Sequence, residues 1–387
     1  MAQIISDSIK YVGVDNTSIR KFENQYPVAH GMSYNSYVIL DEKIAVTDTV
    51  DICCGDQWLS NLEFVLAGRT PDYLVVHHME PDHSANILAA MHRYPSMTLV
   101  AGAKAIAMLP DYFENADFLD RTLVVKEGDT LVLGTHTLRF HSAPMVHWPE
   151  VMMSYEISEQ ILFSADAFGK FGALSYDDSW LPEARRYYCN IVGKYGPQVQ
   201  MALKKFADLP IRTIAPLHGP VLSGDLSQYL TPYNLWSTYT PENPEGVLVA
   251  YASIYGGTEQ AAIYCAETLR AAGAEVELLN LCDTDVAEAV AQAFRMGRIL
   301  LASPTYDAGL YPAMHDFLYH LRIKNLQRRR FALIENGSWA PIAANLMKEM
   351  LAPLKNADIL LPPVTIRGRF HTTDRAPLAS LATSLLS

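Results

Sequence analysis

The sequence contains no Cys-x-x-C pair. Its five cysteines are Cys53, Cys54, Cys189, Cys265 and Cys282. An odd set without that spacing makes neither a disulfide framework nor a zinc knuckle. Each cysteine reads as a small buried hydrophobe in a reducing compartment. Positive charge is scarce: 42 acidic against 30 basic residues give a net charge of −12. An acidic surface repels phosphate backbones, so nucleic acid is excluded as an expected partner. Apolar runs of about eighteen residues are lacking, and with them any expected membrane span. The opening MAQIISDSIKYVG has no basic n-region and no apolar h-region, so a cytoplasmic location is expected. Repeats and low-complexity segments are also missing.

What remains is a chain of 387 residues, 50% hydrophobic and 19% charged. That length is too great for one ordinary domain and indicates two globular ones. The stretch YTPENPEG (239–246) clusters turn formers, and the sequence pattern changes after it. The expected division is therefore 1–243 and 246–387. Before the boundary, short strand-like runs dominate, at 34–40, 43–50, 73–78, 122–144 and 160–168. Helical stretches at 84–93 and 182–206 interrupt them, as in a layered α/β sandwich. After it, five apolar strand candidates alternate with helices. The first is GVLVAYAS, and EVELLNL, RILLASPT, RFALIENG and ILLPPVTI follow. That alternation predicts a doubly wound parallel sheet of flavodoxin-like type.

The first half carries HHMEPDHSAN (77–86), with His78, Glu80, Asp82 and His83 inside six residues. Burying that many ionisable groups unpaired would be costly, which points to metal. Residues two apart on a strand face the same way, so His78 and Glu80 are expected to share a face at the end of YLVVHH. Pro81 then breaks the strand and returns Asp82 and His83 toward the same pocket. His147 in APMVHWPE, Asp166 in LFSADAFG and His218 in IAPLHGP each follow a strand, where a rigid scaffold aims a side chain. The other histidines, including His77, His92, His136 and His141, read as hydrogen-bonded structural residues. A donor set of four His, two Asp and one Glu without sulfur suits non-haem iron, and manganese and zinc accept the same donors.

The second half offers three loops at strand ends. YASIYGGTEQ opens a helix, and Ser253, Ile254, Tyr255, Gly256, Gly257 and Thr258 can wrap a phosphate at its N-terminus. This S-x-x-G-x-T pattern looks like a flavodoxin phosphate loop. SPTYDAGLYP supplies Pro304, Thr305, Tyr306, Asp307, Ala308 and Gly309. ENGSWAP supplies Asn336, Gly337, Ser338 and Trp339. Aromatic faces and backbone amides there suit an isoalloxazine ring.

The order H-x-E-x-D-H followed by distant His, Asp and His resembles the metallo-β-lactamase-like domain of flavodiiron proteins. Hydrolases of that fold usually carry H-x-H-x-D-H, and here Glu80 takes the second His position. The resemblance spans essentially the whole chain, including the fused flavodoxin-like half. It implies a metallo-β-lactamase-like αββα sandwich followed by the flavodoxin-like sheet. It also implies two irons and one FMN per chain. His78, Glu80 and His147 would hold one iron, Asp82, His218 and His83 the other, with Asp166 bridging. The implied activity is reduction of dioxygen to water, of nitric oxide to nitrous oxide, or of both, with FMN re-reducing the irons. No rubredoxin or NAD(P)H-reducing domain is visible, so a separate rubredoxin-like or flavin-reductase donor is expected. A head-to-tail homodimer, or a dimer of such dimers, would set each flavin against the partner chain's irons. The N-terminal loop, where family members often place a His near the site, carries Glu23 and His30. Two other readings compete: a zinc-dependent hydrolase with an accessory flavodoxin domain, and a plain electron carrier whose metal is structural. Glu80 counts against the first and the complete donor set against the second.

Overall fold

Alternation of apolar and polar residues sends every second side chain of a strand to the same face. In the first half that face is shared by two sheets. The computed structural model describes residues 5–176 and 179–387. The chain forms two compact units: the first runs to Tyr188 and resumes over Pro197–Tyr233, and the second takes Cys189–Gly196 and Asn234–Ser387.

In the first unit, one six-stranded sheet runs Ile9–Tyr11, Tyr37–Ile39, Ala45–Thr47, Tyr73–Val75, Thr98–Gly102, Thr122–Val125 in spatial order. The other runs Thr130–Val132, Thr137–Ser142, Met152–Glu156, Ile161–Phe163, Thr213–Ala215, Leu222–Ser223. Alternate residues meet between them: Tyr37, Ile39, Val75 and Val100 from one sheet, Leu138, Phe140, Ile161 and Phe163 from the other. Helix Gly55–Leu66 buries Trp58, Leu62 and Leu66, a four-residue spacing that makes one apolar stripe.

The strand-like stretch 122–144 divides into three strands that serve both sheets. Gly128, at φ +83°, turns the chain between them, and Asp129 caps that turn by accepting from Lys126 N at 3.0 Å. The helix expected over 84–93 is also divided, into Pro81–Ser84 and Ile87–Arg93. Asn86 sits at the break, its amide donating to the carbonyls of Val50 (2.7 Å) and Asp51 (3.1 Å). The stretch 182–206 holds helices Trp180–Tyr187 and Gly196–Phe206, joined by a π-helical segment, Tyr188–Val192, and a 3-10 turn, Gly193–Tyr195.

The second unit is built on a parallel sheet in the order Val276–Asn280, Asn243–Tyr251, Met296–Tyr306, Arg330–Asn336, with Asp358–Ile359 and Val364–Ile366 both pairing the last. Strand order 2-1-3-4-5 is the doubly wound arrangement expected. ILLPPVTI makes two short strands because Pro362 and Pro363 cannot donate to a ladder. Among the described residues no helix is long and apolar enough to cross a membrane.

Candidate metal centre and flavin pocket

Strand Tyr73–Val75 ends before the histidines, so His78 and Glu80 do not share a strand face. They converge because the following loop is pinned. Asp48 accepts from the backbone N of His77 at 2.7 Å and pairs with its Nδ1 at 2.6 Å. His77 Nε2 reaches Ser154 at 2.7 Å, so both ring nitrogens are engaged and this imidazole is structural. Pro81 starts the helix Pro81–Ser84 that carries Asp82 and His83. Thr49 Oγ1 donates to the His83 carbonyl at 2.8 Å and holds that turn in place. Asp166 and His218 sit in tight turns beside residues at positive φ, Ala165 (+50°) and Gly219 (+78°). A Cβ on Gly169 would stand 3.0 Å from the Asp166 carbonyl and 3.3 Å from His218 Cβ, so the two turns abut there.

The seven donors form two groups. In one, Glu80 Oε2 lies 3.2 Å from His78 Nε2 and 3.0 Å from His147 Nε2. Asp166 Oδ2 completes it, 3.2 Å from His78 and 3.1 Å from His147. In the other, His83 Nε2 and His218 Nε2 face each other at 3.0 Å. Asp82 Oδ2 stands 3.4 and 3.3 Å from them. Asp166 Oδ1 approaches this second group at 3.6 and 3.7 Å. Asp166 thus offers one oxygen to each group.

These groups are buried. His78, His83 and His218 are fully enclosed, as is Asp166. Both oxygens of Asp82 and of Asp166, and Nε2 of His147, make no aligned hydrogen bond despite those short separations. Buried polar atoms are normally satisfied. Donors that point at common positions rather than at each other fit a pair of cations, and nitrogen with carboxylate oxygen fits iron. Two imidazoles gain an outer partner, which fixes a ligand's tautomer: His78 Nδ1 meets Glu150 Oε1 at 2.8 Å and His218 Nδ1 meets the Ser33 carbonyl at 2.7 Å.

Electrostatics agree. Burial opposes a charge on His78, but Asp166, Glu150 and Glu80 together hold its pKa well above the ordinary value. His147, also opposed by burial, is raised to about 9 by Asp166 and Glu80. Burial would raise the Asp166 carboxyl, yet His78 and His147 keep it well below the usual range. His83 goes the other way: burial lowers it, and Asp82 does not fully compensate. A metal ion bound here would supply positive charge to these carboxylates and displace protons from the imidazoles.

No sequence spacing marks the residues around the cluster. Trp148 meets His78 edge-on at 5.3 Å. Phe22, Tyr34 and Tyr187 surround His218 at 5.3, 5.8 and 5.5 Å between ring centroids. From the N-terminal loop it is therefore Phe22 that reaches the site. His30 stacks on Tyr176 at 4.5 Å, and Glu23 is exposed. Glu150 was discoverable as a carboxylate three residues past His147, behind a proline.

In the second unit, a cavity of about 660 Å³ opens where three parallel strands end. The first loop lines it with Ser253, Ile254, Tyr255, Gly257 and Thr258, and the second with Pro304, Thr305, Asp307 and Ala308. Asn336, Gly337, Ser338 and Trp339 line it from the third. Of the other expected residues, Gly256 shapes the phosphate turn at φ +84°. Tyr306 packs on Tyr311 and pairs with Gly309 across a hairpin. Its two central residues, Asp307 and Ala308, both lie at positive φ, +47° and +53°. A non-glycine pair there is strained, a feature common at ligand loops. Tyr255 (97% exposed) and Trp339 (83%) leave large faces open, as rings awaiting a planar partner would. Three lining residues were not anticipated: Ala340, Gly368 and Arg369. Gly368 and Arg369 follow the strand Val364–Ile366, so the rule that ligands bind past strand C-termini could have found them.

Comparison with known proteins gives concordant results. Residues 32–219 match the model of the ODP family beta lactamase. The nitric oxide reductase of Moorella thermoacetica is 30% identical over 94% of this chain and 92% of its own. The rubredoxin-oxygen oxidoreductase of Megalodesulfovibrio gigas is 27% identical over 98% and 96%. The crystal structure of a flavodiiron protein from Giardia intestinalis superposes with a TM-score of 0.93 at 25% identity, covering 100% of this chain and 96% of the other.

Proposed function

This chain belongs to the flavodiiron protein family, and from that premise we propose that it reduces dioxygen to water, nitric oxide to nitrous oxide, or both. One observation carries the reading: seven donors, six of them buried and Glu80 half-buried, in two abutting groups, with Asp166 offering an oxygen to each. His78, Glu80 and His147 would hold one iron and Asp82, His83 and His218 the other, with an oxygen of Asp166 available to each. The metal domain is 1–243 and the FMN domain 246–387. The loops at 253–258, 304–309 and 336–339 hold FMN. When bound, the iron pair and FMN supply the electrons for gas reduction.

The chain's own residues do the rest. Glu150 and the Ser33 carbonyl orient two imidazoles. Phe22, Tyr34 and Tyr187 wall the second group with aromatic surface, which admits small apolar gases and excludes bulk water. Electrons come from a separate rubredoxin-like or flavin-reductase donor. The working unit is a head-to-tail homodimer, alone or as a dimer of dimers, in which each flavin serves the partner chain's irons.

The test is turnover assayed with each gas separately, nitric oxide in the absence of dioxygen. The isolated chain is expected not to oxidise NADH at a useful rate, and added reductase and rubredoxin to start gas consumption. Fast NADH oxidation by the chain alone would remove the need for a donor. Iron-loaded, flavin-loaded protein that consumes neither gas with donors present would overturn the proposal.

A further inference from the structure

The flavodoxin-like cavity contains one cationic side chain among the described residues that line it, and the three loops do not provide it. Arg369 enters from the turn after strand Val364–Ile366. We propose that Arg369 is the counter-charge for the flavin phosphate and selects a phosphorylated flavin over its dephosphorylated form. The proposal rests on the flavin reading above.

Placement is the first argument. The 367–369 turn is pressed against the start of helix Gly257–Ala271, the position where a phosphate gains backbone N–H groups and the helix dipole. A Cβ on Gly257 would come within 2.1 Å of the Gly368 carbonyl, so the two backbones approach as closely as glycine permits. Asn336 ties them together. Its Nδ2 donates to the Gly368 carbonyl at 2.8 Å and to Thr258 Oγ1 at 3.2 Å, and its Oδ1 accepts from Gly368 N at 2.8 Å. The backbone turn that carries Arg369 is therefore held beside Gly257 and Thr258, and it also meets the third loop, where Gly337 N donates to the Ile366 carbonyl at 3.1 Å.

Charge is the second argument. The helix opens with Glu259, whose carboxylate accepts from Tyr251 Oη at 2.9 Å and stands beside the Gly256 turn. Asp307 adds a second carboxylate to the lining. With a net charge of −12 on the chain as well, a phosphate dianion meets an adverse field unless a cation is present. A guanidinium is suited to that task because its donors match phosphate oxygens. Arg367, two residues earlier, does not line the cavity, and its Nη1 approaches the Ser338 carbonyl at 3.4 Å.

The experiment titrates the full-length chain, stripped of flavin, with FMN and with riboflavin. Flavin fluorescence quenching gives the Kd of each. For Arg369→Gln, FMN affinity is expected to fall at least about tenfold, the loss of one charged hydrogen bond, with riboflavin affinity unchanged. Arg369→Lys should retain most of the preference, and Arg367→Gln, which removes the same charge nearby, should retain all of it. Raising the salt should weaken FMN binding to the unaltered chain more than to Arg369→Gln. Equal losses for both flavins, or no loss for either, would overturn the proposal. So would an unaltered chain that binds riboflavin as tightly as FMN. An unaltered chain that binds neither flavin would instead overturn the flavin reading itself, and the role of Arg369 with it.

Discussion

The two units present their ligands in opposite ways. The metal centre of the first gathers side chains from positions 78 to 218, all but Glu80 enclosed. The cavity of the second is built from loops at strand ends and stays open, with Trp339 and Tyr255 largely exposed. One site is specified by which side chains are present, the other by how backbone turns are shaped. Substitution should therefore damage the first through single residues and the second only in part.

The largest expected effect is at Asp166, which offers an oxygen to each metal group. Asp166→Ala should lower gas reduction by at least about 100-fold, exceeding the loss expected for an outer partner. FMN should stay bound and reducible. His83→Ala removes a donor from one group alone and should cost less. Turnover and iron content measured side by side check both, and Asp166→Ala protein with two irons and full turnover would show that this residue is no ligand.

Next in size is Glu150, which meets the far nitrogen of His78 and accepts from the backbone N of Met79. Glu150→Gln keeps the side chain's shape and is expected to weaken iron binding about 10- to 100-fold. Competition with a chelator measures this directly. Unchanged affinity would mean that the site needs no orientation of His78 from behind.

Trp339→Ala is the corresponding change in the open pocket. Losing one stacked face should raise the Kd for FMN by about tenfold, with iron content unaltered. A loss of iron in this variant would break the contrast between the units.

Subunit mixing sharpens the same contrast. One variant lacks metal donors (His147→Ala, Asp166→Ala), and the other lacks flavin contacts (Thr258→Ala, Trp339→Ala). Each alone should be inactive or nearly so. In a mixture that mass spectrometry shows to contain heterodimers, each heterodimer should carry roughly half the activity of an intact dimer, since one of its two equivalent sites is whole, and random exchange should regain about a quarter overall. No recovery would rule out transfer between chains.

These contrasts also explain what the sequence revealed. His78, Glu80, Asp82 and His83 were legible because so many ionisable groups in one short stretch are hard to bury without a cation. His147, Asp166 and His218 were legible because each lies in the loop that follows a strand-like run. The route by which His78 and Glu80 meet was not, since the strand stops at Val75 and a pinned loop takes over. Glu150, Phe22, Tyr34 and Tyr187 surround the donors without any sequence spacing to mark them, because packing partners are chosen in three dimensions. In the second unit, strand order and three loops followed from apolar runs. The fourth lining segment was hidden because two prolines split ILLPPVTI into two strands, and Arg369 lies just beyond the second.

The most direct test of the central claim is metal and flavin content of the full-length protein, produced with ample iron, together with its visible spectrum. The expected result is about two irons per chain, and a yellow protein that releases one FMN on heating. Zinc as the only bound metal, accompanied by hydrolase activity, would contradict the account.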